Sequence, residues 1–306
     1  MRKAVIGIGS NSIRLLVSDI NYEKRALDRI LRDREGTRLF SGLDENGELS
    51  REKMEAAVEA VGRMRREAQD AGSDEISLFA TSAVRDSRNS GELVKMLKDV
   101  CGLDLIICSG ETEARLSFYG CCSGGKCGMI DIGGGSTEFT WGESRQIKGA
   151  VSLQLGAVRL FERYPVKCSG DLAPVLEYAR ELIKRELLSR SDFAKPESWV
   201  GCGGTFTTLS ALCQNVSWTQ RRFTHGYIMP KGLARAWMYK LADMPIEKRL
   251  QLRGLQPNRA DIVGHGIAIL VSAMDEIGID EIRVSEHGNL DGFLKSKYLY
   301  PETWRL

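Results

Sequence analysis

Two stretches of the chain, IGIGSNS over residues 6–12 and IDIGGGS over residues 130–136, match when the sequence is shifted by 124 positions. Each reads as a short apolar strand followed by a turn of small residues, after which strand character resumes. Because the repeated unit is as long as a domain, it predicts two homologous domains rather than a solenoid. A chance match of seven small and apolar residues is the alternative.

The segments between the two stretches alternate between strand patterns and helix patterns. Strand patterns cover residues 4–8, 13–17, 76–80 and 105–108, and helix patterns cover residues 51–70 and 89–100. Ser50 is a suitable N-cap for the first helix, and Gly72 is a suitable stop. The alternation predicts an α/β fold.

The glycine-rich segment at residues 123–125 reads as a linker or tight turn between the two domains. We therefore expect one domain over residues 1–122 and a second over residues 123–306. The last segment, residues 293–306, could pack back on the first domain.

Composition and charge exclude several classes of protein. The chain has 306 residues, with 43 Lys and Arg against 41 Asp and Glu, so a bulk nucleic-acid polymer is not an expected partner. No apolar run approaches the roughly 18 residues of a membrane-spanning helix. The apolar stretch after Lys3 is too short for a signal peptide. These features predict a cytoplasmic protein without a membrane partner.

The eight cysteines form no C-x-x-C pair, and the three histidines lack ligand-like spacing, so a zinc site is not expected. We interpret the cysteines as reduced thiols of a cytosolic protein, most of them acting as small buried hydrophobes. Redox sensitivity of the neighbouring Cys121 and Cys122 is the alternative interpretation.

A third glycine-rich turn lies in WVGCGGT, residues 199–205, where a strand runs into a helix. Glycine lets backbone N–H groups approach an anion closely, and a helix N-terminus adds partial positive charge. Three such turns suit a phosphate chain held between domains, although each could be only a tight turn. The candidate phosphate-binding residues are Gly9, Ser10, Asn11, Ser12, Gly133, Gly134, Gly135, Ser136, Gly203, Gly204 and Thr205.

Carboxylates accompany these turns. Asp131 ends one strand and Glu138 begins the next, so a tight hairpin would bring together two oxygen ligands of the kind that Mg²⁺ prefers. Glu113 lies in the first turn of a helix capped by Ser109, where a carboxylate could orient and deprotonate a water. Alternatively, Glu111 and Glu113 only complement the helix dipole.

Basic residues are concentrated in residues 219–260, which contain nine Lys or Arg and two acidic residues. A basic wall of this kind would attract a polyanion in a salt-dependent way. A solvated helix face is the alternative, and it is expected to hold for most of these side chains.

Eight sequence motifs, in their order along the chain, resemble those of the exopolyphosphatase and guanosine pentaphosphate phosphatase (Ppx/GppA) family, which is part of the actin-like ATPase superfamily. They are GIGSNSIRLLV from Gly7, ATSAVRD from Ala80, SGETEARL from Ser109, IDIGGGSTE from Ile130, SLQLGAVRL from Ser152, GCGGTFTTLSAL from Gly201, NRADIVGHG from Asn258 and VSEHGNLDG from Val284. The resemblance implies two actin-like (ribonuclease H-like) domains with an active site in the interdomain cleft, and it is compatible with a homodimer.

The resemblance also implies roles for single residues. Glu113 matches the catalytic base, and Asp131 and Glu138 match acids tied to metal and water positioning, with Mg²⁺, or Mn²⁺ in its place, as cofactor. Arg85 matches a phosphate contact, and residues 10–12 match the first phosphate loop. Arg14 and Arg259 are further expected contacts of a polyanion.

Two positions depart from the family pattern. The first carboxylate of D-x-G-S-N-S is Gly7 here, which would weaken Mg²⁺ binding or shift the metal onto Asp131 and Glu138. The first Glu of the E-E-A pair is Thr112, which leaves the base position intact. The chain ends soon after its last motif, so it resembles the short, two-domain members.

These features together predict an enzyme, a Mg²⁺-dependent exopolyphosphatase that releases the terminal phosphate of inorganic polyphosphate. A pppGpp 5′-phosphohydrolase is the close alternative, which the sequence does not separate. A sugar kinase of the same superfamily would need a D-x-G-T loop and a separate Asp base, which we do not find. A polyphosphate- or nucleotide-binding sensor without turnover is the non-enzymatic alternative, and Gly7 is the residue that favours it.

Overall fold

The computed structural model describes residues 1–122 and 124–304, and its contacts divide the chain into two compact units. Unit 1 comprises Met1–Gly120 together with the described residues from Asn289 onward, and unit 2 comprises Cys121–Gly288. Ser123, next to the predicted boundary, and the last two residues of the predicted C-terminal segment lie outside the described residues.

Strands and helices alternate along both units. The strands are β1 (Arg2–Ile8), β2 (Ile13–Asn21), β3 (Ala26–Glu35), β4 (Glu75–Ala80), β5 (Leu105–Ile107), β6 (Lys126–Ile132), β7 (Thr137–Glu143), β8 (Gln146–Leu153), β9 (Ser198–Cys202), β10 (Ile228–Pro230) and β11 (Glu281–Val284). The helices are α1 (Arg51–Asp70), α2 (Ser82–Arg85), α3 (Ser90–Cys101), α4 (Gly110–Cys121), α5 (Ala157–Arg163), α6 (Leu172–Ile183), α7 (Gly204–Gln214), α8 (Arg221–Thr224), α9 (Lys231–Ala242), α10 (Ile246–Arg249), α11 (Val263–Ile277) and α12 (Asn289–Leu294).

The first predicted helix shows how local signals set an element. Ser50 accepts a hydrogen bond from the backbone N–H of Lys53, which satisfies one of the free donors at the start of α1. The apolar positions Met54, Ala57 and Val61 recur at helical spacing and are buried. The predicted cap and the predicted apolar face are both confirmed.

The two units contain the same sheet arrangement. In unit 1 the strand order is β3-β2-β1-β4-β5, with β1, β2 and β3 antiparallel and β4 and β5 parallel to β1. In unit 2 the order β8-β7-β6-β9-β11 repeats these directions, and β10 adds an antiparallel edge strand. The predicted α/β class and the predicted repeat are confirmed.

The repeat extends to the hydrogen bond that closes each turn. In unit 1, the Gly9 N–H donates to the Ser12 carbonyl at 3.1 Å, and in unit 2, the Gly133 N–H donates to the Ser136 carbonyl at 2.9 Å. Gly9 and Gly133 are separated by 124 positions, as are Ser12 and Ser136. The alternative of a chance sequence match is therefore wrong.

One expectation about the cysteines is also wrong. Cys122 and Cys127 form a disulfide, with their Cα atoms 6.5 Å apart, whereas the other six cysteines are free. Cys122 directly follows α4 and Cys127 is the second residue of β6, and their Cα separation lies within the range that a disulfide requires. Among the described residues, no helix is long and apolar enough to cross a bilayer.

The core of unit 2 is built around α11, where His265 is buried and its Nε2 lies 2.8 Å from the Tyr164 carbonyl. Burial lowers the pKa of His265, so the imidazole is neutral in the folded chain and donates this hydrogen bond. In the unfolded chain the ring takes up a proton at a higher pH. This difference destabilises the folded state as the pH falls below the unfolded pKa of about 6.5.

We expect the thermal midpoint to fall between pH 7 and pH 5, and to fall less in His265→Gln, which keeps an N–H donor without the titrating ring. His225→Gln, which changes an exposed histidine of the same unit, is the matched control. An equal fall in wild type and His265→Gln would contradict the assignment to His265.

Candidate functional site

The turn between β1 and β2 is held by backbone hydrogen bonds to the segment that follows β3. The backbone N–H of Phe40 donates to the Ser10 carbonyl at 2.9 Å, and that of Arg38 donates to the Asn11 carbonyl at 3.2 Å. The Ser10 hydroxyl hydrogen-bonds the Ser82 hydroxyl, 2.7 Å away at the start of α2. These bonds fix the turn against the next motif in the sequence.

Asn11 is 5% exposed, and neither polar atom of its amide has a hydrogen-bond partner within the described part of the chain. A buried polar group without a partner costs about 1–3 kcal/mol. An amide carries two donors and an acceptor, so a ligand or an ordered water reaching this turn would recover that cost. The first predicted phosphate turn therefore contains an unfilled polar position.

Arg85 and Glu113 form an ion pair between α2 and the first turn of α4. The Arg85 Nη1 donates to Glu113 Oε2 at 3.0 Å and to the Cys108 carbonyl at 3.3 Å. The Glu113 side chain is 8% exposed and the Arg85 side chain is 18% exposed. The ion pair orients the Glu113 carboxylate, and the Arg85 guanidinium also lies 3.5 Å from Asp86 Oδ1.

Glu111 and Glu113 differ in their surroundings although both lie in the first turn of α4. Glu111 is exposed and accepts hydrogen bonds from Arg115 one turn later. Residues two apart lie on different sides of a helix, so the inward position of Glu113 leaves Glu111 in solvent. The helix-dipole interpretation fits Glu111, and the interpretation as a positioned base fits Glu113.

A thiol lies close to this pair. Burial, and then the negative charge of Glu113, raise the pKa of Cys108 to about 12. The thiol is therefore protonated at neutral pH and does not compete as a nucleophile.

The second predicted phosphate turn, residues 133–136, is fastened to the start of α5. The backbone N–H of Ala157 donates to the Gly133 carbonyl at 3.0 Å, and the Arg159 Nε donates to the Gly135 carbonyl at 2.8 Å. The Gly134 carbonyl accepts from two further N–H groups of α5. Because the Gly133 N–H already closes the turn, an anion here would be bound by the N–H groups of Gly134, Gly135 and Ser136.

Asp131 and Glu138 are direct partners across the antiparallel pair of β6 and β7, and both are buried. The hydroxyls of Ser136 and Ser152 donate to Glu138 Oε1 at 2.6 and 2.7 Å. Two carboxylates facing each other repel unless a cation or proton lies between them. The oxygen atoms of Asp131 and Glu138 therefore fit a hard divalent cation. The predicted phosphate-loop residue Ser136 contacts Glu138 through its hydroxyl.

Among the described residues there is no group of three or more His, Cys, Asp or Glu side chains arranged for a metal. A cation bound by Asp131 and Glu138 would complete its coordination shell from water and phosphate oxygens, as Mg²⁺ commonly does.

A thiol lies beside this pair of carboxylates. A hydrogen bond with Cys121, burial and the charge of Asp131 raise the pKa of the Cys202 thiol.

The third turn joins β9 to α7 through two glycines with distinct structural roles. Gly203 has φ +88°, a backbone conformation that favours glycine, and a Cβ there would lie 2.5 Å from Asp131 Oδ1. A Cβ on Gly204 would collide with the guanidinium of Arg259. The N-terminus of α7 favours negative charge, so an anion at this end would be attracted by both the helix and Arg259.

One predicted contact, Arg14, has another partner within its own unit. The Arg14 Nη2 donates to Asn289 Oδ1 at 2.9 Å, so Arg14 joins β2 to the start of α12. The Thr205 hydroxyl lies close to Gly266 of α11 and is buried without a hydrogen-bond partner among the described residues.

The predicted residues fall into two groups. Unit 1 contains Gly9, Ser10, Asn11, Ser12, Arg14, Arg85 and Glu113, and unit 2 contains Asp131, Gly133, Gly134, Gly135, Ser136, Glu138, Gly203, Gly204, Thr205 and Arg259.

Comparison of this chain with known protein families and proteins agrees with the order of its motifs and with its two matching sheets. The model of the Ppx/GppA phosphatase family matches residues 16–300. Exopolyphosphatase 2 of Mycobacterium tuberculosis is 32% identical over 324 aligned positions, which cover 96% of this chain and 98% of that protein. The chain belongs to the Ppx/GppA phosphatase family. Membership makes it an enzyme that hydrolyses phosphoanhydride bonds, as predicted.

Solved structures of the Ppx/GppA family share the fold. The family member from Aquifex aeolicus is 26% identical, with a TM-score of 0.83 and 98% of both chains covered. An exopolyphosphatase-like protein is 25% identical, with a TM-score of 0.89 and 97% of both chains covered. The predicted actin-like fold is therefore confirmed.

Four residues that contact the predicted site residues were not singled out from the sequence. Ser82, Ser152, Arg159 and Cys202 each contact a predicted residue. All four lie inside motifs that carry the family resemblance, so membership of those motifs could have indicated that they lie near the predicted site residues. Which member of a motif turns inward depends on strand register and helix phase.

At least three of the nine basic residues at positions 219–260 have partners inside unit 2. Arg235 pairs with Asp275, Lys231 pairs with Asp280, and the Arg249 guanidinium donates to two backbone carbonyls. These three side chains are half-buried and pair within the unit, so neither a polyanion-binding wall nor a solvated helix face describes them. Arg259 differs from them because it lies against the third glycine turn.

Proposed function

We propose that this chain is a Mg²⁺-dependent exopolyphosphatase that removes the terminal phosphate of inorganic polyphosphate. The observation that carries the proposal is the buried Glu113 carboxylate, held 3.0 Å from Arg85 in the unit that contains the first phosphate turn. The relative named exopolyphosphatase 2, which aligns over nearly the whole chain, supports this substrate.

The proposed reaction needs a base and a means of neutralising phosphate charge. Glu113 takes a proton from water while the water oxygen bonds to the terminal phosphorus and the bond to the bridging oxygen breaks. The products are inorganic phosphate and a chain shorter by one unit. Asn11, Arg85 and the N–H groups of the glycine turns hold the phosphoryl oxygens, which is the main task in phosphoryl transfer.

Asp131 and Glu138 are the residues that would hold Mg²⁺. When bound, the cation supplies positive charge that neutralises the phosphoryl oxygens. The Ser136 and Ser152 hydroxyls orient Glu138 toward this role, and the backbone of Gly203 leaves room for Asp131.

Asn11→Ala tests whether the first turn binds substrate. We expect KM for polyphosphate to rise about tenfold, the scale of one lost hydrogen bond of about 1.4 kcal/mol. The thermal midpoint should stay or rise, because the substitution removes a buried polar group that has no partner in the described residues of the free protein. Asn46→Ala, in an exposed turn of the same unit, is the control. A lower midpoint with unchanged KM would show that Asn11 is only structural.

The substrate is tested by phosphate release from long-chain polyphosphate, short-chain polyphosphate and pppGpp, each with Mg²⁺ and with EDTA. We expect release from polyphosphate, inhibition by EDTA, and a smaller kcat/KM for pppGpp. A larger kcat/KM for pppGpp would identify the chain as a pppGpp 5′-phosphohydrolase. Binding of polyphosphate without turnover would identify a sensor, and either result would overturn the proposal.

A further inference from the structure

The two units carry equivalent rows of three residues across the strands that end at the phosphate turns. In unit 2, Asp131 on β6 is paired with Glu138 on β7 and with Cys202 on β9. In unit 1, the equivalent position on β1 is Gly7, which is paired with Arg14 on β2 and Phe79 on β4. The rows can be compared residue by residue because Gly7 and Asp131, like Arg14 and Glu138, are 124 positions apart.

The chemistry of the two rows is opposite. The unit 2 row has two carboxylates and a thiol, and the unit 1 row has a guanidinium, a hydrogen atom and a phenyl ring. Hard divalent cations take oxygen ligands and are repelled by a guanidinium. By its donors alone, unit 2 fits a cation and unit 1 does not.

The space beside Gly7 is already occupied by apolar side chains. A Cβ at this position would lie 3.1 Å from the ring of Phe79 and 3.2 Å from Leu290 Cδ1. The Phe79 ring is buried and stacks on Phe293 with ring centroids 5.2 Å apart. A side chain here fits only if these groups give by a few tenths of an ångström, and a carboxylate packed against them would lose hydration, which disfavours its charged form.

We propose that the first phosphate turn of this chain works without a metal, and that divalent cation binding is confined to the Asp131–Glu138 pair of unit 2. Phe79 and Leu290 crowd any side chain placed at Gly7 on β1, and Arg14 stands where the equivalent row in unit 2 has a metal ligand. Unit 1 then contributes only anion-binding groups and the base. The inference rests on the proposed function, in which a cation assists the reaction.

The number of cations is measured on the full-length chain without substrate, by titration with Mn²⁺ followed by electron paramagnetic resonance. We expect one bound Mn²⁺ per chain. Asp131→Asn and Glu138→Gln should each raise the dissociation constant at least about tenfold, the effect expected from a lost ligand. Two Mn²⁺ ions per wild-type chain, or full affinity in Asp131→Asn, would overturn the proposal.

Gly7→Asp and Gly7→Asn test the exclusion directly, because the two side chains have similar size and differ in charge. We expect both to lower the thermal midpoint and neither to add a second Mn²⁺ ion. A second ion in Gly7→Asp alone would show that unit 1 can accept a metal, and would overturn the proposal. If neither variant folds, the wild-type count and the Asp131→Asn titration still decide it.

The metal count is independent of turnover. A chain that binds one Mn²⁺ ion at the pair but releases no phosphate would retain the inference and lose the proposed function. A chain that releases phosphate with two Mn²⁺ ions bound would retain the proposed function and overturn the inference.

Discussion

Phosphate release from polyphosphate should fall by about 10²-fold or more when Glu113 is replaced by Gln, the scale expected for loss of a positioned general base. The amide fills the same space and can still contact Arg85, but it cannot take a proton from water. The loss should appear in kcat with little change in KM, because the phosphate contacts remain. Initial rates at saturating and low polyphosphate separate the two quantities.

The matched control is Glu111→Gln, which removes the same charge from the same turn of α4. Glu111 is exposed and pairs only with Arg115 in the described contacts, so its loss should change the rate by less than about twofold, as expected for a surface pair. A comparable loss in both variants would mean that the helix dipole, rather than a base, is the relevant effect. Full activity of Glu113→Gln would assign the base to another carboxylate.

Gly156→Ala should have the second large effect, on both stability and activity. A Cβ at Gly156 would collide with the Gly134 carbonyl and with the backbone of Gly135, atoms that have no rotamer with which to move away. The second phosphate turn or the start of α5 must therefore shift. We expect the free energy of unfolding to fall by about 1–3 kcal/mol, as in other overpacked sites.

The activity of Gly156→Ala should fall at least about tenfold, because small misplacement of positioning groups slows catalysis strongly. Unfolding midpoints and phosphate release are measured on the same preparation. Gly264→Ala is the control: this glycine is also in unit 2, and its Cβ would meet nothing within 4 Å. The control should match or exceed wild-type stability. Wild-type activity in Gly156→Ala would contradict the rigid attachment of the turn to α5.

Much of the fold could be predicted from the sequence because its signals are local. The caps and apolar spacing of α1 need only neighbouring residues, and the two turns share a backbone hydrogen bond that small residues at fixed positions permit. The family motifs also predicted Glu113, Asp131 and Glu138 as site residues, and the structure buries all three. The relation of Asp131 to Glu138 followed from the short turn between their strands.

The tertiary structure decided which members of these motifs turn inward and what surrounds them. The sequence alone does not distinguish Glu111 from Glu113, because both lie in the first turn of the same helix. Only the packing around α4 buries Glu113 against Arg85. The glycine in place of the usual first carboxylate is visible in the sequence, whereas the apolar side chains that fill its surroundings come from β4 and α12.

The sequence by itself therefore determined the fold class, the internal repeat, the family motifs and the chemical types available at each turn, because these depend on short-range periodicity and spacing. Only the tertiary structure decided that Cys122 pairs with Cys127, that Gly156 supports the second turn, and that the space beside Gly7 is filled. Those features depend on close packing between segments that are distant in the chain or on the exact path of a connection, and neither is encoded in local patterns.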